Sequence, residues 1–111
     1  METSERLFQQ QIIDMANLYG WAVHHVPPMR YNASRNPMGN NWGTGGLAGM
    51  PDLTLISLRG MGIIYAELKT NTGKLSAHQV KVLSLLHRNG GEVYVWRPKD
   101  LTAISKRLSG L

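Results

Sequence analysis

Apolar positions along the chain follow two different periods. In "TSERLFQQQIIDMANLYG", Phe8, Ile12, Met15, Ala16 and Tyr19 recur at helical spacing, Thr3 or Ser4 supplies a cap and Gly20 a stop, which predicts a helix over residues 4 to 19. "WAVHHV" then reads as a short strand closed by Pro27 and Pro28. "DLTLISL" and "GIIYAELK" are β-rich runs on either side of Arg59-Gly60-Met61, which reads as a hairpin. "LSAHQVKVLSLLHRNGG" returns to helical spacing, with Val80, Leu83 and Leu86 as the stripe, Ser76 and Gln79 at capping-box spacing, and Gly90-Gly91 as the close. "EVYVWR" is a further strand, and "DLTAISKRL" a short final helix with Asp100 as cap and Leu101, Ile104 and Leu108 inward. Trp21, Tyr94 and Trp96 occupy strand positions and read as core.

The order is therefore helix, strand, hairpin, helix, strand, helix. The helix between "YAELK" and "EVYVWR" is a crossover, which makes those two strands parallel and predicts an α/β fold, a mixed sheet flanked by helices. With 111 residues and 42% apolar side chains, the chain is expected to form one domain, residues 1–111. It contains no repeats. Residues 27–51 form a long loop rich in Gly, Asn and Pro that carries Arg30 and Arg35 and no acidic residue.

Charge narrows the partner class. Twelve Lys and Arg against seven Asp and Glu give a net charge of +5, which suits a polyanion such as nucleic acid, although ribosomal and membrane-surface proteins share that balance. The absence of cysteine excludes disulfides, zinc-thiolate sites and cysteine nucleophiles. The polar start "METSERLFQQQ" lacks the apolar segment of a signal peptide, and no apolar run has membrane-spanning length, so a cytoplasmic location is expected.

The candidate chemistry lies in "GMPDLTLISLRGMGIIYAELK". Side chains in a strand alternate faces, so Glu67 and Lys69 point the same way. A hairpin turning at Gly60-Met61 sets Asp52 across from Lys69 on that face. Two carboxylates this close repel unless a cation joins them, and an oxygen-only ligand set points to a hard divalent ion, Mg2+ or Mn2+. Such an ion polarises phosphorus and acidifies a water, while a lysine can orient or deprotonate that water. The constellation outlines a phosphodiester-hydrolysis site. Alone, Glu-x-Lys is most often a weak ion pair on a solvated strand face, and it is the added Pro-Asp at a register-matched position that shifts the balance. "GTGGLAG" also fits a loose dinucleotide pattern through Gly43, Gly45 and Ala48, but a loop precedes it and a strand follows, so that reading fails. No Walker pattern occurs, and no nucleotide cofactor is expected.

"GMPDL", "AELKTNTGKLSAHQ" and "EVYVWRPKDL" resemble the VRR-NUC family, the virus-type replication-repair nucleases of the PD-(D/E)XK superfamily, from about Ser4 to the end. The resemblance implies a restriction-endonuclease-like core of order αβββαβ with a C-terminal helix, and a metal-dependent endonuclease acting on DNA and leaving a 5'-phosphate. It implies Asp52 and Glu67 as metal ligands with the Leu68 carbonyl as a third, Lys69 as the catalytic lysine, and Glu5 as the acid of the first helix. Glu5 also has a plain reading, an acid at the positive end of a helix. Gln79 matches the family's glutamine while completing the capping box. His25 stands where relatives often carry a histidine; a packed or solvated histidine fits as well, and His24, His78 and His87 have no case.

The free-standing domain is also similar to archaeal Holliday-junction resolvases, which implies a homodimer facing a branched, four-way DNA substrate and a viral or mobile-element setting such as phage DNA repair. Arg30, Arg35 and Lys74 are candidate phosphate contacts, and Trp42 a candidate stacking residue or an anchor for its loop. The other readings are a non-catalytic nucleic-acid-binding module on the same fold and a nuclease that cuts flap or duplex DNA with a partner protein.

Overall fold

The structure, a computed structural model, describes residues 3–25 and 47–111. Its elements are α1 (Thr3–Leu18), β1 (Trp21–His25), β2 (Leu53–Ser57), β3 (Ile63–Leu68), α2 (Ala77–Arg88), β4 (Glu92–Trp96), a 3-10 turn (Pro98–Asp100) and α3 (Leu101–Ser109). The four strands form one sheet in the order β1-β2-β3-β4, antiparallel as far as β3 and parallel between β3 and β4, where α2 makes the crossover. This is the α/β architecture with a mixed sheet that the element order predicts. Among the described residues no helix is long and apolar enough to cross a membrane.

Strand alternation divides the sheet into two unlike faces. Trp21, Leu53, Leu55, Ile64, Ala66, Leu68 and Trp96 point to one side, where Phe8, Ile12 and Ala16 of α1 and Ile104 and Leu108 of α3 complete a single apolar core. The other side carries Thr54, Tyr65 and Glu67 and is covered by α2, whose Val82 and Leu83 are buried. Tyr94 and Trp96 stack at 5.4 Å between ring centroids, on the core side as their strand positions predict.

Charged side chains close the end of the sheet farthest from Asp52. The Trp21 indole N–H donates to the Leu108 carbonyl at 2.9 Å, and Arg59 donates to the Leu108 and Ser109 carbonyls at 3.1 and 3.4 Å, so the orphan acceptors at the end of α3 are satisfied. Arg107 forks onto Glu92 at 2.6 and 2.9 Å, donates to the Met61 carbonyl at 2.8 Å, and lies 5.2 Å over the Trp21 ring. Hydrogen bonding from Arg107 holds the Glu92 carboxyl below its usual range.

Three local expectations are corrected. The hairpin pairs Leu53 with Ala66 and Leu55 with Ile64, and Ser57 N–H donates to the Gly62 carbonyl, so its centre lies at Arg59-Gly60 rather than Gly60-Met61. Gly60, at φ 75 with no atom close to its missing Cβ, takes the left-handed turn position. A shift of two residues keeps each side chain on its expected face but changes its partner. In α2, Val80 is exposed and the inward stripe runs through half-buried Gln79 and Leu86 and buried Val82 and Leu83, because a polar residue takes an inward position. Asp100 stands at the N-cap position of α3 as expected, but its side chain makes no capping bond there; its Oδ2 instead accepts the Arg97 N–H at 2.9 Å, within the 3-10 turn.

Candidate active site

Asp52 stands immediately before β2, where its carboxylate replaces a rung of the ladder. Asp52 Oδ2 accepts the Leu68 N–H at 2.8 Å, at the point where β2 has no backbone carbonyl left to offer β3. Continuing the observed pairing one step past Leu53 and Ala66 brings Asp52 opposite Glu67, not Lys69 as a turn at Gly60-Met61 would have it. The two carboxylates therefore face each other across the strand pair.

Glu67 is buried, with 2% of its surface exposed. Its Oε2 accepts a hydrogen bond from Gln79 Nε2 at 2.9 Å and lies 3.8 Å from Lys69 Nζ. Its Oε1 is buried with no hydrogen-bond partner. Burial, then the neighbouring Asp52 carboxylate, push the Glu67 carboxyl up to about 8, against a smaller opposing pull from Lys69. An acid held this high needs either a proton or a cation beside it. Two facing carboxylates, one with a spare buried oxygen, meet the donor chemistry of a hard divalent ion, so Asp52 and Glu67 fit the metal the sequence calls for.

Gln79 performs two tasks with one amide. Its Oε1 accepts the Ser76 N–H at 2.8 Å and its own N–H donates to Ser76 Oγ at 3.1 Å, which closes the capping box, while its Nε2 holds Glu67. The first turn of α2 is thereby fastened to β3. The segment between them is tied to the residues that follow β4: Arg97 Nη1 donates to the Thr70 and Gly73 carbonyls at 2.6 and 2.7 Å, and the Lys99 N–H of the 3-10 turn donates to Asn71 Oδ1 at 2.9 Å. Lys69 itself donates its N–H to the Trp96 carbonyl at 3.0 Å, so its backbone still follows the sheet as its side chain reaches Glu67.

The structure thus brings together Asp52, Glu67, the Leu68 backbone, Lys69 and Gln79. Lys74 is exposed on the tied segment beyond them. Glu5 is half-buried in the first turn of α1 and does not join the cluster: among the described residues no group of three His, Asp or Glu side chains is placed to hold a metal ion. His25, on the core side of β1, is hydrogen bonded to the side chain of Gln9 one turn after Glu5, while His24 is exposed. Arg30, Arg35 and Trp42 lie outside the described residues.

Sequence reasoning passes over two residues. Arg97 reads only as the end of a strand, although a cation directly after β4 falls at the same end of the sheet as Lys69. Gln9 sits within the apolar stripe of α1 and is 8% exposed; a polar residue on a helix's buried face is the signal that could have found it.

The model of the VRR-NUC domain matches residues 40–100, more than half of the chain, and spans Asp52, Glu67, Lys69 and Gln79. No curated protein and no solved structure matches.

Proposed function

The chain belongs to the VRR-NUC family, nucleases of the PD-(D/E)XK type, and from that premise we propose that Asp52, Glu67 and Lys69 are its hydrolytic site, acting on phosphodiester bonds of DNA. The observation that carries the reading is the buried Glu67, with one oxygen unpartnered and the other held by Gln79 and Lys69, facing a second carboxylate.

Asp52 and Glu67 would hold Mg2+ or Mn2+ together with the Leu68 carbonyl, which points to the same neighbouring strand as the Leu68 N–H that Asp52 accepts. When bound, the ion supplies positive charge that polarises the phosphate and makes a neighbouring water more acidic. The chain's own residues do the rest. Lys69, 3.8 Å from Glu67 on a side chain 15% exposed, orients the attacking water and offsets charge as the phosphorus gains its fifth oxygen. Gln79 is a positioning residue that holds the Glu67 carboxylate through Oε2 and leaves Oε1 without a hydrogen bond, so that this oxygen could serve as a ligand. Arg30, Arg35 and Lys74 contact phosphates, and Trp42 stacks on an unpaired base.

The substrate we propose is branched DNA, a four-way junction, cut by a homodimer that presents two such sites and leaves 5'-phosphates. Two-strand cleavage needs two sites, and a symmetric dimer is the simplest assembly that supplies them. The test is a labelled panel of junction, flap, linear duplex and single strand with Mg2+ or Mn2+, comparing wild type with Asp52→Asn. Paired symmetric nicks in the junction alone, lost in the variant, are expected. Cleavage of flap or duplex instead would remove the junction assignment, and binding without any cleavage would make the domain a nucleic-acid-binding module.

A further inference from the structure

Gly49 lies three residues before Asp52, in the turn that leads into β2, and its backbone is left-handed at φ 91. A Cβ built there would sit 2.4 Å from both the carbonyl carbon and the oxygen of His78 and 2.8 Å from the Gln79 nitrogen. All three are backbone atoms in the first turn of α2, so no rotamer change can relieve the overlap. The same Gln79 N–H donates to Ser76 Oγ, and the Gln79 side chain holds Glu67. The segment that carries Asp52 is therefore in direct contact with the helical turn that carries the partner of Glu67.

We propose that Gly49 is a positioning residue of the active site: its bare Cα lets the segment ending in Asp52 close onto the first turn of α2, which sets the separation of the Asp52 and Glu67 carboxylates. The proposal rests on the nuclease reading and adds a third tie to those made by the Leu68 N–H and by Gln79. A side chain at Gly49 drives the segment and the helix apart, and because Asp52 follows one and Gln79 the other, the two carboxylates separate with them. Any divalent ion bridging the pair is then held less tightly. A glycine needed only for its backbone conformation would have no such effect.

Gly60 supplies the comparison. At φ 75 it is as left-handed as Gly49, but nothing lies within 4 Å of its missing Cβ, and it is at the far end of the hairpin from Asp52. The experiment measures melting temperature and Mn2+ affinity by calorimetry for wild type, Gly49→Ala, Gly60→Ala, Gln79→Ala and the Gly49→Ala/Gln79→Ala double variant. Both glycine variants are expected to melt earlier than wild type, while Gly49→Ala alone loses tenfold or more in Mn2+ affinity. With Gln79 already removed, Gly49→Ala is expected to cost less than a further threefold, because the linkage it disturbs is gone. Wild-type affinity in Gly49→Ala, or an equal loss with and without Gln79, would overturn the proposal. If Gly49→Ala does not fold, Ser76→Ala loosens the same turn from its other side. It is expected to lower Mn2+ affinity severalfold, and unchanged affinity would overturn the proposal. A wild type that takes up no Mn2+ overturns the nuclease reading itself, and is distinguished by being read before any variant.

Discussion

Glu67 shows how a single residue links stability to function. Its carboxyl is pushed from 4.5 up to about 8 by burial and by Asp52, so between those values the folded chain keeps a proton that the unfolded chain releases. The sign follows: the stabilising contribution is fully present below 4.5 and is lost as pH rises through about 8. Without metal, the wild-type melting temperature should fall between pH 5 and pH 9, by an amount worth at most about 5 kcal/mol. In Glu67→Gln that fall should be much reduced, and an equally steep fall would place the titration elsewhere. Added Mn2+ should restore wild-type stability most at the alkaline end, where it replaces the missing proton. Lys69 differs in kind, because its ammonium acts on the reacting group. Lys69→Ala should lower single-turnover cleavage roughly 10²-fold or more with little change in DNA affinity. A collapse of affinity instead would make Lys69 a phosphate anchor.

The elements explain how this site is held in place. β2 and β3 need only hold their ladder, and α2 need only keep its first turn on β3. Ser76→Ala should cost about 1 kcal/mol in chemical denaturation, as the loss of a helix cap, and Gln79→Ala should exceed it because Glu67 loses a partner as well. The converse result would separate Gln79 from Glu67 in solution. At this scale the sequence is partly legible, for reasons particular residues make plain. The alternation of Leu53, Leu55, Ile64, Ala66 and Leu68 gives the correct face for Asp52, Glu67 and Lys69, since a hairpin slipped by two residues preserves sidedness. It cannot give the cross-strand partner, because glycines at 60 and 62 both accept the turn geometry and only the packed structure chooses between centres. The α2 stripe departs from expectation at Val80 because an apolar pattern admits only apolar residues inward. Gln79 is inward to satisfy a buried carboxylate that lies in another element. Asp100 has the position of a cap, whereas its carboxylate is drawn back to the Arg97 N–H.

On the scale of the whole molecule, the sheet separates two functions. The side with α1 and α3 holds the core, closed at one end by Trp21, Arg59, Arg107 and Glu92, and the side with α2 holds the carboxylates. Leu55→Ala, at a fully buried site on the first side, should cost about 2 to 5 kcal/mol in denaturant unfolding. A folded Leu55→Ala chain should still bind Mn2+ as wild type does. The net charge of +5 acts over longer range. Removing Arg30, Arg35 and Lys74 together should weaken binding to all DNA sequences alike and flatten the salt dependence by about 0.9 for each phosphate no longer neutralised. An unchanged slope would remove these residues from the interface. The most direct test of the central claim, that Asp52 and Glu67 form one divalent-cation site, is a calorimetric titration of the metal-free chain with Mn2+. Wild type is predicted to bind one ion per chain and Asp52→Ala none, with the variant still folded by circular dichroism. Equal binding by both, or none by the wild type, would contradict that claim.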